Sequence, residues 1–228
     1  AALYGFCRAD LDGFALLSQQ RADFAQDLGY FDEQIVPLTV PAGRSEVLFS
    51  RDEHIRADTT AESLAKLKPA FKQDGIVTAG NASGLNDGAA ALLLTSRFEA
   101  EKRGLKPQAR MLGYAFAGVE PGVMGLGPIP AVQQVLAQTG LSVADIDVVE
   151  SNEAFAAQAL AVSQTLGFDS SKVNPNGGAI ALGHPVGATG SILIIKLLAE
   201  LKRIDGRYGL VTMCIGGGQG IALLLESL

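Results

Sequence analysis

Between Arg8 and Leu28 the apolar residues Leu11, Phe14, Ala15, Ala22, Ala25 and Leu28 recur every three to four positions or their multiples. That spacing lines them along one stripe of an α-helix, and Gly29 supplies a C-terminal stop. Glu33 to Val40 reads as a strand, after which Pro41 to Thr60 is polar, charged and aperiodic, the pattern of a long surface connection. Thr60 to Leu67 predicts a short helix and Ile76 to Thr78 a short strand. Gly80 to Gly88 reads as a tight loop, and Asp87 to Arg103 as an Ala- and Leu-rich helix closed by Gly104.

After Pro107 the alternation becomes regular. It predicts a strand Ala109 to Val119, a helix Ile129 to Thr139, a strand Asp147 to Glu150 and a helix Glu153 to Leu166. A helix Thr189 to Arg203 and strands Tyr208 to Cys214 and Gln219 to Leu225 follow. Strands interleaved with helices imply an α/β layered fold, a sheet covered by helices, with a domain boundary near Lys106 to Ala109. No internal repeat is visible.

Composition narrows the class. The 228 residues are 48% hydrophobic and 18% charged, with 27 Gly and no Trp, as in globular chains and unlike disordered or fibrous ones. A chain of this length buries about 70% of its unfolded surface, enough for a substantial core. The formal net charge of −6 repels a polyanion, so nucleic acid is not an expected partner. Two cysteines, Cys7 and Cys214, make no disulfide framework and fit a reducing, cytoplasmic setting. No apolar run reaches the length of a membrane span. The opening Ala-Ala-Leu-Tyr-Gly has no basic leader, so no targeting peptide is expected within the sequence.

Three places are candidates for chemistry. His184 lies in NPNGGAIALGHPVGATG, Asn174 to Gly190, where glycines let a ligand approach the backbone and Thr189 is placed to cap the next helix. Cys214 ends an apolar strand and precedes Ile215-Gly216-Gly217-Gly218. It reads either as a small core residue or as a thiol beside exposed backbone N–H groups. Asn152-Glu153-Ala154-Phe155 falls where a strand yields to a helix. Open α/β sheets place sites there, although Asn152 equally reads as the helix N-cap. No second His or Cys has metal-ligand spacing. The glycines after Cys214 miss the G-x-G-x-x-G spacing of a dinucleotide site, and no helical pattern follows them.

In combination the three segments, with TAGNASGLNDGAAA from Thr78 to Ala91 and Met124-Gly125-Leu126-Gly127-Pro128, resemble the thiolase family along essentially the whole chain. The resemblance implies a thiolase-like layered fold. Residues 1–85 would be a loop-domain segment, 86–108 the closing helix of the amino-terminal domain, and 109–228 the carboxy-terminal domain. It also implies an acyltransferase that condenses acyl-CoA units or thiolyses 3-ketoacyl-CoA. The acyl group would ride on a cysteine in a portion that precedes residue 1, so these residues are expected to be a fragment, a processed product, or one subunit whose partner carries the nucleophile, and to be inactive alone. Cys7 stands where the family carries no catalytic residue.

Four groups are singled out as catalytic by that resemblance. His184 would activate the nucleophilic cysteine and, with a water held by Asn152, form one oxyanion hole. Cys214 would move the α-proton, and the Gly216 N–H would serve a second oxyanion hole. A free thiol needs such a base near neutral pH, and each fixed donor to a developing oxyanion contributes about 10²–10³ in rate. Arg56 is expected at the nucleotide end of CoA, Leu67, Phe71, Ala79 and Ser83 along the pantetheine arm, and Met124, Ala154 and Phe155 at the acyl group. Lys66, Lys68 and Lys72 join Arg56 in a basic stretch that reads equally as a solvated face. No cofactor is expected beyond CoA as substrate, and the intact enzyme is expected to be a homo-oligomer away from membranes. The rival reading is a non-catalytic acyl-CoA or lipid-binding module.

Overall fold

The computed structural model describes all 228 residues. Its centre is a mixed four-stranded sheet in the order β3-β6-β5-β4, formed by β3 (Ala109–Gly118), β4 (Val148–Ser151), β5 (Tyr208–Ile215) and β6 (Gln219–Ser227). β6 runs antiparallel to both β3 and β5, while β4 and β5 are parallel. Successive side chains of a strand point to opposite faces, so a sheet covered on both sides needs strands that are apolar throughout. Leu210 and Leu224 accordingly face α4 (Pro128–Thr139), packing with Val132, Val135 and Ala115. Their neighbours Val211 and Leu225 face α7 (Thr189–Ile204), packing with Leu193, Leu197 and Leu201.

A second core joins the chain's beginning to this domain. α1 (Arg8–Asp27) sets Leu11 and Ala15 against Ala156 and Ala157 of α5 (Ala156–Leu166), Ile180 of α6 (Ala179–Leu182) and Leu64 of α2 (Ala61–Ala65). Met124 to Leu126 of the MGLGP segment end a 3-10 turn, Pro121–Leu126, and Gly127-Pro128 leads straight into α4. A Cβ on Gly220 would strike the backbone of Gly127 and Pro128, so both glycines serve a backbone-to-backbone contact no side chain fits. No helix is long and apolar enough to cross a membrane.

Several expected elements are displaced. Residues 28–34 turn instead of extending, held by Gln34 N–H to the Phe31 carbonyl and Gln34 Nε2 to the Tyr30 carbonyl. The strand is β1 (Leu38–Ala42), paired with β2 (Ser45–Phe49) inside the stretch expected to be a loop. Gly43, at φ +66, opens the two-residue turn between them, the conformation tight hairpins favour. The hairpin is exposed along both strands, so alternation by burial was never there to read. Ile76 to Thr78 contributes only an isolated bridge, Thr78 to Pro69. The helix expected from Asp87 shrinks to α3 (Arg97–Lys102), capped by Ser96. Leu93 and Leu94 are 82% and 69% exposed, and a helix with no face to bury gains little from propensity alone.

Candidate functional site

The site lies at the carboxyl end of the parallel pair β4–β5. Ser151 pairs with Thr212, and the Asn152 N–H donates to the Thr212 carbonyl. The helix after β4 begins at Ala156 with Phe155 as its N-cap, so Asn152 is not a helix cap. The residue between them and the site, Glu153, is fully enclosed. Its carboxylate accepts from Ser18 Oγ of α1 (2.7 Å), Asn174 Nδ2 (2.8 Å) and the Ile180 N–H (3.2 Å). Burial raises its pKa despite these donors. Gly178 faces the carboxylate where a Cβ would collide with it. Glu153 therefore clamps α1, the NPNGG loop and the strand end together.

Asn174 completes the clamp. At φ +44 it donates from Nδ2 to the Ser151 carbonyl (2.8 Å) and accepts the Ser151 N–H on Oδ1 (2.9 Å), acting as a one-residue strand beside β4. The loop then passes through α6 and delivers His184 next to Asn152. Asn152 Nδ2 stands 3.3 Å from His184 Nε2, and Thr189 Oγ1 stands 2.7 Å from Nδ1. α7 takes Ala188 as its N-cap without a side-chain hydrogen bond, so Thr189 is not the cap expected of it; its hydroxyl belongs to the histidine. Desolvation lowers the His184 pKa, favouring the neutral ring. Asn152 Oδ1 is buried and has no protein partner.

Cys214 lies on β5 two residues beyond Thr212, at the same sheet end as Asn152. It is buried, and burial pushes its thiol pKa up, so it rests as S–H. Gly217 and Gly218, at φ +86 and +92, turn the chain back into β6 and leave Gly216 exposed. The structure thus gathers His184, Asn152, Cys214 and Gly216 at one end of the sheet.

The expected ligand-contacting residues divide. The segment Asn81–Asn86 threads between the Asn152 and His184 strands of chain. Ser83 N–H donates to the Ala154 carbonyl, Ala156 N–H to the Asn81 carbonyl and His184 N–H to Asn86 Oδ1. Ser83 and Ala154 are therefore neighbours, and Phe71 meets Phe155 edge-on at 6.1 Å. Leu67 closes on Gly80, next to Ala79, where a Cβ would stand 2.5 Å from its Cδ1. Met124 is half-buried in the 3-10 turn that rests through Gly125 on Gln158 of α5. Arg56 is exposed, held by its backbone N–H to Gln19 Oε1 (2.8 Å). Lys66, Lys68 and Lys72 are exposed as well, and Cys7 is an exposed N-cap of α1.

Sequence reasoning gave Glu153 no role of its own, read Thr189 only as a cap and passed over a buried pair beneath the loop. Lys196 Nζ donates to Glu150 Oε2 (2.7 Å) and to the Gly177 carbonyl (2.6 Å). A lysine on the apolar stripe of α7, four positions before Glu200, was the available signal. No group of three or more His, Cys, Asp or Glu side chains is arranged to hold a metal.

Comparison with known proteins follows the same lines. Residues 105–227 match the family model "Thiolase, C-terminal domain" and residues 1–98 match "Thiolase, N-terminal domain". The chain is 56% identical over 224 residues to the beta-ketothiolase BktB of Cupriavidus necator, covering 98% of this chain and 57% of that protein. It is 55% identical over 227 residues to an acetyl-CoA acetyltransferase of Chromobacterium violaceum, covering 99% and 58%. The crystal structure of the Bacillus anthracis acetyl-CoA acetyltransferase superposes with a TM-score of 0.97 at 52% identity, across 100% of this chain and 58% of that one. Human mitochondrial 3-ketoacyl-CoA thiolase in complex with CoA superposes with a TM-score of 0.93 at 46% identity, across 100% and 57%. The chain thus spans less than three fifths of the length of these relatives.

Proposed function

The chain belongs to the thiolase family, and on that premise we propose that it supplies the acid–base and oxyanion groups of an acyl-CoA acyltransferase. The acyl group is carried on a cysteine from outside these residues. The observation that supports this most directly is the Asn152–His184 contact (3.3 Å) at the sheet end that also holds Cys214 and Gly216.

In the thiolysis direction the external cysteine thiol gives its proton to His184, and the thiolate adds to the 3-keto carbon. The bond between that carbon and the α-carbon then breaks, and Cys214 S–H delivers the proton that the departing acetyl-CoA enolate needs. A thiol whose pKa is raised by burial holds that proton until the carbanion develops. Negative charge on the thioester oxygens is met by His184, by a water on the unpartnered Asn152 Oδ1 and by the Gly216 N–H. CoA is substrate, with Arg56 near its nucleotide end and Phe71, Phe155, Ser83, Leu67 and Ala79 along its arm. Acetyl-CoA condensation is the reverse path.

The test uses the full-length protein. Cys214→Ser should still take an acyl group onto the other cysteine, while condensation falls by roughly 10²–10⁴-fold, the usual contribution of a general base. His184→Ala should slow acylation itself. Near-normal condensation by Cys214→Ser, or its failure to become acylated, would refute this division of roles.

A further inference from the structure

We propose that Thr189 is a positioning residue that fixes the tautomer of His184 and so decides which ring nitrogen accepts a proton; the functional consequence rests on the reading of His184 as a base. Hydrogen-bond counting carries the assignment. Thr189 Oγ1 lies 2.7 Å from His184 Nδ1 and 2.9 Å from the Pro185 carbonyl oxygen, and it has one proton. Were that proton given to Nδ1, the hydroxyl lone pairs would face the carbonyl oxygen at 2.9 Å, a contact without a hydrogen. With the proton on the Pro185 carbonyl, both contacts become hydrogen bonds, and Nδ1 must carry the hydrogen. Nε2 is then the acceptor, which matches the Asn152 amide presenting Nδ2 to it. The network has a single polarity: Asn152 Nδ2–H to Nε2, then Nδ1–H to Thr189 Oγ1, then Oγ1–H to Pro185 O.

This polarity suits both halves of the proposed reaction. A thiol that displaces the Asn152 amide from Nε2 meets that nitrogen's lone pair, and when the S–H bond breaks its proton moves onto Nε2, leaving thiolate and imidazolium. The Nδ1–H bond to Thr189 is unchanged by that transfer, and with Asn152 displaced the new Nε2–H is a donor free for a developing oxyanion. Burial of the ring opposes a permanent charge, and His184 N–H to Asn86 Oδ1 (3.0 Å) holds its backbone. No other hydrogen bond is made at Nδ1.

Two variants of the full-length protein test this. Thr189→Ser keeps the hydroxyl, and Thr189→Val keeps the shape but removes it. Imidazole 15N NMR of His184 above its pKa should show Nδ1–H in the wild type and in Thr189→Ser, and a shifted mixture in Thr189→Val. Acylation of the nucleophilic cysteine should fall roughly 10²-fold in Thr189→Val with KM unchanged. That is less than the loss of about 10⁴ when a protease histidine is forced into the wrong tautomer. Thr189→Ser should stay within about threefold of the wild type. An Nε2–H tautomer in the wild type, or Thr189→Val acylating at the wild-type rate, would overturn the proposal. The NMR result stands apart from turnover: a wild-type Nδ1–H tautomer in a protein that is never acylated would sink the functional reading and leave the assignment intact.

Discussion

Residues 109–228 and residues 33–107 solve the burial problem in opposite ways. The first region sandwiches its sheet between α4 and α7 and buries Leu197, Leu201, Leu210 and Leu224 completely. The second contributes only Leu64, Thr78, Asn81 and Ala100 to the 60 buried residues, while Phe71 is 74% and Leu85 95% exposed. Its order comes from turns, one hairpin and caps such as Thr60 and Ser96. The seam between the regions is where Ser83, Phe155, Asn86 and His184 meet. A rigid layered body therefore fixes the groups proposed to move protons, and a lightly packed segment is laid across them. On the proposed reading, chemistry that tolerates little displacement sits on the first and binding surface on the second.

The difference predicts where a single charge matters most. Glu150 is fully enclosed, and burial pushes its carboxyl up to about 7 even though Lys196 beside it pulls the other way; Glu153 and Glu200 add to the rise, while Asp52, itself near His54, faces Lys196 from the loop side. A folded-state pKa raised above the unfolded value stabilises fully below about 4.5, and that stability is lost as pH climbs to about 7. The stability of the full-length wild type relative to Glu150→Gln should therefore drop by an amount on the order of 3 kcal/mol between these limits and stay flat above them. Urea titrations at several pH values measure it, and a pH-independent difference would remove Glu150 as the titrating group.

Next in size is the packing of the layered body itself. Gly220→Ala forces a methyl group into the Gly127–Pro128 backbone, which cannot rotate away as a side chain would. The full-length protein should lose roughly 1–3 kcal/mol. Thermal unfolding unchanged within error would show that the MGLGP turn yields, and that the packed region is less rigid than its burial implies.

Legibility followed the same divide. Sheet strands and helices past residue 107 were readable to within a few residues because packing layers select residue type along β4, β5 and β6 and the helices that cover them. The β1–β2 hairpin was not, since Leu38, Val47 and Leu48 are all exposed and alternation carried no burial signal. The Asp87–Arg103 stretch has the Ala and Leu content of a helix, yet its apolar side chains have nothing in this chain to pack upon. The three motifs pointed to side chains that the fold brings to one sheet end, but not to the hydrogen bonds that join them. Glu153 read as the start of a helix, because hydrogen bonds that join residues 135 and 32 positions apart, as Ser18–Glu153 and Asn152–His184 do, leave no local spacing to detect. Thr189, five positions from His184, read as a cap because a threonine at a helix start fits both roles.

The smallest expected effect belongs to the exposed region and sharpens the contrast. Arg56 is anchored through its backbone to Gln19 while its guanidinium makes no hydrogen bond or ion pair within the chain. Its proposed service to the nucleotide end of CoA is therefore that of a solvated charge. Exposed ion pairs are worth about 0.2–1 kcal/mol, which limits the loss of CoA affinity in Arg56→Ala to about fivefold. Because the attraction crosses water, it should shrink as ionic strength rises from about 0.01 M, where the Debye length is about 30 Å, to about 1 M, where it is about 3 Å. Substitution of a solvated arginine should also leave thermal unfolding of the full-length protein unchanged. CoA titrations of wild type and Arg56→Ala across that salt range measure both the size and the slope. A loss that persists at high salt would mean that Arg56 is enclosed with its ligand, and that the lightly packed segment closes over CoA instead of only presenting charge to it. No loss at low salt would remove Arg56 from the site.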